Sequence, residues 1–179
     1  MIDTLITSRT RIKLLLKFFL NSSARSYLRG LESEFGESSN AIRLELNRFE
    51  EAGLLTSEME GNKKMFRANT QHPLYEDIHN ILLKYIGLDQ IIEKVVQKLG
   101  EVWMVFLTGD FARGRDSRII DLIFVGDRID KEYLIRLIEK AEKLVRRKIR
   151  YLVYTVAEFD QTYSAPYETE EMLLLWKAQ

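Results

Sequence analysis

The chain has 179 residues, room for one large domain or two small ones, and a hydrophobic fraction of 46% that can build a core. Charged residues make up 30%, which separates the chain from disordered and membrane classes, and no apolar run approaches the roughly 18 residues of a membrane span. There is no cysteine, so disulfides and thiolate chemistry are excluded, and 27 Lys+Arg balance 27 Asp+Glu, so any nucleic-acid binding has to come from a local patch.

Ser8 is placed to cap a first helix over residues 8–20, where Ile12, Leu15, Leu16 and Phe19 recur at helical spacing. Lys17 interrupts the greasiest part of it and no small-residue cleavage site follows, so no secretory signal is expected and the expected compartment is the cytoplasm. After a polar break at 21–24, a second helix is expected over 26–35, with Tyr27, Leu28, Leu31 and Phe35 on one side and Gly36 as its end. Ser38 and Ser39 offer caps for a third helix, with Ile42, Leu46 and Phe49 facing in, Asn40, Arg43, Asn47 and Glu50 facing out, and Gly53 stopping it. Residues 54–59, a turn at 60–62 and residues 63–68 predict a hairpin.

This order, with the Glu51-Ala52-Gly53-Leu54-Leu55 exit, resembles the winged helix-turn-helix domain of bacterial transcription regulators over about residues 7–69. The resemblance implies double-stranded DNA as partner, with Ser38, Ser39, Asn40, Arg43 and Asn47 at the groove and Lys63, Lys64 and Arg67 on the wing. Residues 1–67 hold 11 Lys/Arg against 9 Asp/Glu, and a module so nearly neutral should bind DNA weakly as a monomer and better as a homodimer reading two half-sites. A winged helix used only for protein contacts is the alternative.

A polar break at 70–73 leads into helices expected over 75–86 and 88–99, divided by Gly87. Ile91, Ile92, Val95, Val96 and Leu99 form a face to pack on a second domain, while Ile78, Ile81, Leu82 and Tyr85 are available for a dimer axis. His72 and His79 have no further ligand at useful spacing and are expected to be surface or capping residues, so neither metal nor cofactor is expected.

Residues 102–107 form an apolar run of strand length, entering Thr108-Gly109-Asp110-Phe111-Ala112-Arg113-Gly114, and a second run follows at 119–125. Gly109 and Gly114 have Walker-loop spacing, but Arg115-Asp116 replaces the required Lys-Ser/Thr, and the dinucleotide fingerprint is absent too. The turn and the acidic strand after it resemble the minimal, polymerase-beta-like nucleotidyltransferases from about residue 88 to 159. That resemblance implies metal-assisted transfer through two carboxylates two residues apart on one strand and a third on a later strand. Here Ile119 stands where the first belongs, Asp121 remains, Asp110 replaces the phosphate-holding serine, and Arg150 takes the third position. The expectation is a degenerate nucleotide-like pocket of Gly109, Asp110, Arg113, Gly114, Asp121 and Arg150, with Asp121 vestigial and no metal. Two alternatives stay open: Asp110, Asp116 and Asp127 could rebuild a metal site, or the glycines could serve backbone geometry alone.

Asp130 is placed to cap a helix over 131–147 whose Leu134, Leu137, Ile138, Ala141, Leu144 and Val145 face the sheet. Lys143, Arg146, Arg147, Lys148 and Arg150 then make a basic run, either a solvated helix end or a phosphate-binding one. A strand at 148–155, a short helix at 157–163 and an amphipathic tail over 168–177 docked on its own domain complete the chain. The expected fold is α+β: a winged helix-turn-helix domain (1–70), a helical linker and dimer contact (71–99) and a nucleotidyltransferase-like mixed sheet with flanking helices (100–179). The expected function is a homodimeric DNA-binding regulator whose second domain serves dimerisation, ligand sensing or a protein partner. An active metal-dependent nucleotidyltransferase modifying a protein or small molecule, and a non-catalytic interaction module akin to an antitoxin, are the competing expectations.

Overall fold

The Ser8 hydroxyl accepts from the Arg11 N–H at 3.2 Å and so starts α1, Arg9–Leu15. In the computed structural model, which describes residues 6–99, 101–163 and 165–178, the chain then widens into a π-helical turn, Leu16–Leu20, with all five side chains buried. Five consecutive buried residues exceed the single apolar face a helix ordinarily covers, so this turn is enclosed from every side. Its cover comes from both halves of the chain.

The expected second helix begins two residues later than its sequence suggests. Arg25–Tyr27 is a strand, β1, and α2 runs Leu28–Phe35 to a left-handed Gly36. The reason lies far along the chain: Ser26 and Tyr27 pair antiparallel with Phe66 and Met65, which satisfies their backbone groups across a sheet instead of along a helix. Ser38 caps α3, Ser39–Glu51, by accepting from the Ala41 N–H at 3.3 Å. The hairpin follows as β2, Leu55–Glu60, and β3, Lys63–Ala68, with Glu60 opposite Lys63 so that Gly61-Asn62 is a two-residue turn. Three helices and a three-stranded wing in the order β1-β3-β2 form a winged helix-turn-helix arrangement.

Helix α4, Tyr75–Ile86, packs back on this core, with Tyr75 5.9 Å from the Phe19 ring centroid. Ile78 and Tyr85 pack against the chain's own core and Leu82 is inside it, so three of the four residues expected at a dimer axis are covered already; Ile81 stays exposed. Helix α5, Leu88–Lys94, stops short of residue 99 and tightens into a 3-10 turn, Val96–Lys98, at the β-branched pair Val95-Val96. Ile91, Val95, Val96 and Leu99 are nevertheless buried as their spacing predicts.

The second sheet has β4, Met104–Thr108, and β5, Ile119–Val125, antiparallel at its centre. Helix α7, Lys131–Val145, carries the chain to β6, Lys148–Tyr154, parallel to β5, and β7, Leu173–Lys177, closes the other edge against β4, so the tail docks on its own sheet. The order β6-β5-β4-β7 makes a mixed sheet, and the whole chain is α+β. Val105, Leu107, Leu122 and Phe124 face one continuous core shared with the N-terminal helices. Phe106, Ile123 and Val125 face a smaller one under α8, Val156–Thr162, where Phe106 stacks on Phe159 at 5.1 Å.

The two halves meet at α6, Gly109–Ala112, and the residues after it. Lys17, 8% exposed, donates from Nζ to the Arg113 carbonyl at 3.1 Å and to Glu34 of α2 at 3.1 Å. Asn21, 1% exposed, donates from Nδ2 to the carbonyls of Ala112 at 3.1 Å and Thr169 at 2.7 Å. Gly114, at φ 76°, lies so close that a Cβ would sit 2.2 Å from the Lys17 Cα. Replacing Gly114 by alanine therefore adds a backbone collision to the left-handed strain of about 1–2 kcal/mol, whereas at Gly36 a Cβ meets nothing. Gly114→Ala is expected to lower the unfolding free energy by roughly 3 kcal/mol or more and Gly36→Ala by about 1–2 kcal/mol, read from urea denaturation.

Candidate functional site

Helix α3 buries Ile42, Leu46 and Phe49 and leaves Asn40, Arg43, Leu44 and Asn47 exposed. Glu45 is buried as well, at 5% exposure, which the apolar spacing did not announce. Its carboxylate accepts from Arg11 Nε at 2.8 Å and Nη2 at 3.2 Å, from Ser8 Oγ at 3.3 Å and from Arg48 at 3.3 Å, which ties α1 across α3. Lys13 meets Glu37 at 2.7 Å, and Arg25 bridges Glu58 and Glu60 on the wing. Most cations of the N-terminal unit are thus neutralised within it.

Between α3 and the wing lies a groove of about 630 Å³ whose lining includes Tyr27, Arg29, Arg43, Asn47, Lys63 and Lys64. Four of the eight expected DNA-contact residues, Arg43, Asn47, Lys63 and Lys64, come together here. Among the described residues Arg29, Arg43 and Lys63 form no ion pair; Lys63 stands 4.4 Å over the Tyr27 ring. Lys64 reaches Glu50 of α3 at 2.6 Å. The other four stand outside the lining: Ser38 uses its hydroxyl as a cap, Ser39 and Asn40 lie on the first turn of α3, and Arg67 lies toward the base of β3, opposite Arg25. Arg29 escaped sequence analysis because only β1, unforeseen, turns the start of α2 toward the wing.

The glycine turn after β4 gathers fewer residues than expected. The register sets Asp121 across from Thr108 and beside Arg150. Arg150 Nε donates to Asp121 Oδ1 at 2.5 Å, while a Cβ on Gly109 would fall 2.2 Å from Oδ2, so the carboxylate is closed between a guanidinium and the Gly109 backbone. Asp121 holds the Arg150 guanidinium above its ordinary proton affinity through this hydrogen bond and charge, with Asp110 adding to the effect. Arg113 turns away from Asp121: it pairs with Glu171 at 3.0 Å and lines a cavity of about 330 Å³ with Tyr163 and Tyr167, which Gly109 also borders. Gly114 is excluded too, because the Lys17 backbone occupies its open side. Only Gly109, Asp110, Asp121 and Arg150 form one site.

That donor set does not fit a two-cation centre. Mg²⁺ requires several oxygen ligands with charge neutralisation, and the site offers two carboxylates, Asp110 and Asp121, the second already paired with Arg150. No group of three or more His, Cys, Asp or Glu suited to a metal occurs among the described residues. Asp116 accepts from Tyr85 at 3.1 Å and Arg147 at 3.0 Å, and Asp127 from the Val156 N–H at 3.1 Å, so both serve the scaffold. His72 accepts at Nδ1 from the Leu74 N–H at 3.1 Å, and His79 donates from Nδ1 to the Phe19 carbonyl of the π turn at 2.8 Å.

No family model matches the chain, and no curated protein matches it. Among solved structures, reduced HlyU from Vibrio cholerae is 14% identical, covering 46% of this chain and 82% of its own, with a TM-score of 0.37. A toxin-antitoxin MntA-HpeT mutant is 16% identical over 51% of this chain and 73% of its own, at 0.39. A protein classed as a nucleotidyltransferase from Sulfolobus solfataricus is 22% identical over 62% of this chain and 93% of its own, at 0.34. All three scores lie below 0.5, so function has to be argued from this chain's own geometry. No helix among the described residues is long and apolar enough to cross a membrane.

Lys64 and Ser57 both donate to Glu50 and hold its carboxyl below the ordinary range, outweighing burial. Since the folded value lies below the unfolded one, the link between wing and α3 is fully present above about pH 4.3 and is lost as pH falls through the folded value. An NMR titration of Glu50 is expected to give a depressed midpoint, and Lys64→Ala to move it up toward the ordinary carboxylate range; a midpoint indifferent to that change would count against the pairing.

Proposed function

We propose that this protein is a DNA-binding transcription regulator that reads duplex DNA with α3 and the wing, and that its transferase-like sheet is a scaffold without phosphoryl-transfer activity. The carrying observation is the convergence of Arg29, Arg43 and Lys63 on one groove while Arg11, Lys13 and Lys64 are held by carboxylates. In a chain with no net charge, this groove offers a phosphate backbone positive charge that no carboxylate holds. The exposed row of α3 has chemistry for base edges: an arginine for guanine, asparagines for adenine and Leu44 for a thymine methyl. Three cations per chain give a shallow salt dependence, so useful affinity calls for two copies on paired half-sites.

The second half of the proposal rests on Arg150. Transfer of a nucleotide needs cations that activate the attacking oxygen and clamp the phosphates. A guanidinium supplies charge without acting as a Lewis acid, and here it is bound to the lone carboxylate of the strand. The scaffold then serves regulation, as a surface for a ligand or a protein partner, and a regulator of chromosomal DNA works in the cytoplasm. The alternative of an active transferase has Asp121 in its favour and the pairing of Asp121 against it.

Two experiments test this. In fluorescence anisotropy against a duplex selected from a random pool, Arg43→Ala and Lys63→Ala are each expected to cost about 1–3 kcal/mol, roughly tenfold to a hundredfold in Kd, and to flatten the salt slope; unchanged binding by both would overturn the DNA role. With Mg²⁺ and labelled nucleoside triphosphates, the wild-type chain is expected to incorporate no more label than Asp121→Asn. Incorporation that Asp121→Asn abolishes would restore the transferase.

A further inference from the structure

Helix α7 ends through Arg146, whose φ of 55° is the only positive value on a non-glycine residue among the described residues. Glycine is the usual occupant of this exit position, because a side chain there is strained. An arginine kept in a glycine conformation calls for a role for its side chain. Arg146 lines a cleft of about 870 Å³ together with Tyr85 of α4, Arg118 just ahead of β5, and Lys143 and Lys148. The volume falls within the range of small-molecule sites. None of its lining residues belongs to the α3–wing groove or to the Asp121 site.

The charges of this cleft divide into structural and uncommitted ones. Arg147 forms part of its wall: it lies between the Tyr85 and Phe111 rings, 5.6 and 5.1 Å from their centroids, and bonds to Asp116 at 3.0 Å and to the Ser117 carbonyl. Lys148 is paired with Glu142 at 2.8 Å, and its N–H holds the Arg118 carbonyl at 2.9 Å. That leaves Arg118, Lys143 and Arg146 without an ion-pair partner among the described residues, against one further lining carboxylate, Glu139. The C-terminal carbonyls of α7 add roughly half a negative charge, so a single phosphate gains little here. A chain of two or three phosphoryl groups can meet all three cations.

We infer that this cleft binds a small oligophosphate, inorganic or carried on a nucleoside, gripped by Arg118, Lys143 and Arg146. The site is independent of the DNA-binding proposal. The full-length chain is titrated calorimetrically, without DNA, against tripolyphosphate and ATP. Tripolyphosphate is expected to bind one per chain, and Lys143→Gln and Arg146→Gly each to weaken it at least about tenfold. Arg146→Gly also removes the backbone strain, so the thermal midpoint of the free variant is expected to stay level or rise, which separates a lost contact from a lost fold. ATP competing for the same site assigns the nucleoside-borne form; tripolyphosphate binding without ATP competition assigns the inorganic one. Absence of saturable binding by either, retention of affinity in both variants, or loss of it in Arg43→Ala would overturn the inference. So would displacement of tripolyphosphate from Arg43→Ala protein by a short duplex, since the phosphates served would then be those of nucleic acid.

Discussion

A buried lysine between two sheets constrains everything else in this molecule. An ammonium taken out of water costs several kcal/mol unless it is paired and fully hydrogen-bonded, and the partners of Lys17 come from both halves: Glu34 from α2 and the Arg113 carbonyl from the glycine turn. Asn21 repeats the pattern one turn later. Neither half can satisfy these groups without the other, and the π turn that carries Lys17 is apolar on every remaining side. Glu34 in turn accepts from Arg115 at 3.1 Å, so the same carboxylate serves both sides of the junction. The winged helix and the mixed sheet are therefore held at one orientation by chemistry that would be costly to expose.

This junction changes what the glycine turn is for. In a nucleotide-binding fold the backbone after the first strand must stay open to phosphate. Here residues 112–114 are filled from behind by the π turn and Asn21 after it, and Gly114 is glycine because another backbone passes over it. Asp121 and Arg150 then close the front. Their pair is largely exposed on the arginine side and adds little to stability; its effect is chemical, since a guanidinium at the carboxylate repels a second cation and offsets the charge that would bind it.

How much of this could be seen in the sequence depends on how local each determinant is. Ser8, Ser38 and Asp130 cap their helices as expected, because a cap is settled by the three residues that follow it. The strand at Arg25–Tyr27 was not visible, since its hydrogen-bond partners lie some forty residues away on β3. Leu82 and Tyr85 show the same limit from another side: spacing identifies an apolar stripe, but only the tertiary fold says whether the chain itself or a second copy covers it. The candidate site fared similarly. Asp121 and Arg150 met because strand register carries them together, whereas Arg113 and Gly114, close neighbours of Gly109 in sequence, diverged once the turn was built.

Helix α4 reaches from the π turn to the cleft at the end of α7. Its first residue, Tyr75, packs on Phe19 of the π turn and stacks near His79, which holds the Phe19 carbonyl. Near its far end Tyr85 donates to Asp116 and lies against Arg147, in the wall of the oligophosphate cleft. Helix α4 thus touches both the cleft and the π turn that continues α1, whose Arg11 pairs with Glu45 of α3. Contact alone transmits nothing: a ligand moves an equilibrium only by the difference in its affinity for two states. Tyr85 of α4 and Lys143 and Arg146 at the end of α7 all line the cleft, so a shift of the α4 end against α7 would meet that condition. An anion held there favours whichever separation brings its cations closest, and α4 shares its core with the N-terminal segment whose Arg11 is paired to Glu45 of α3.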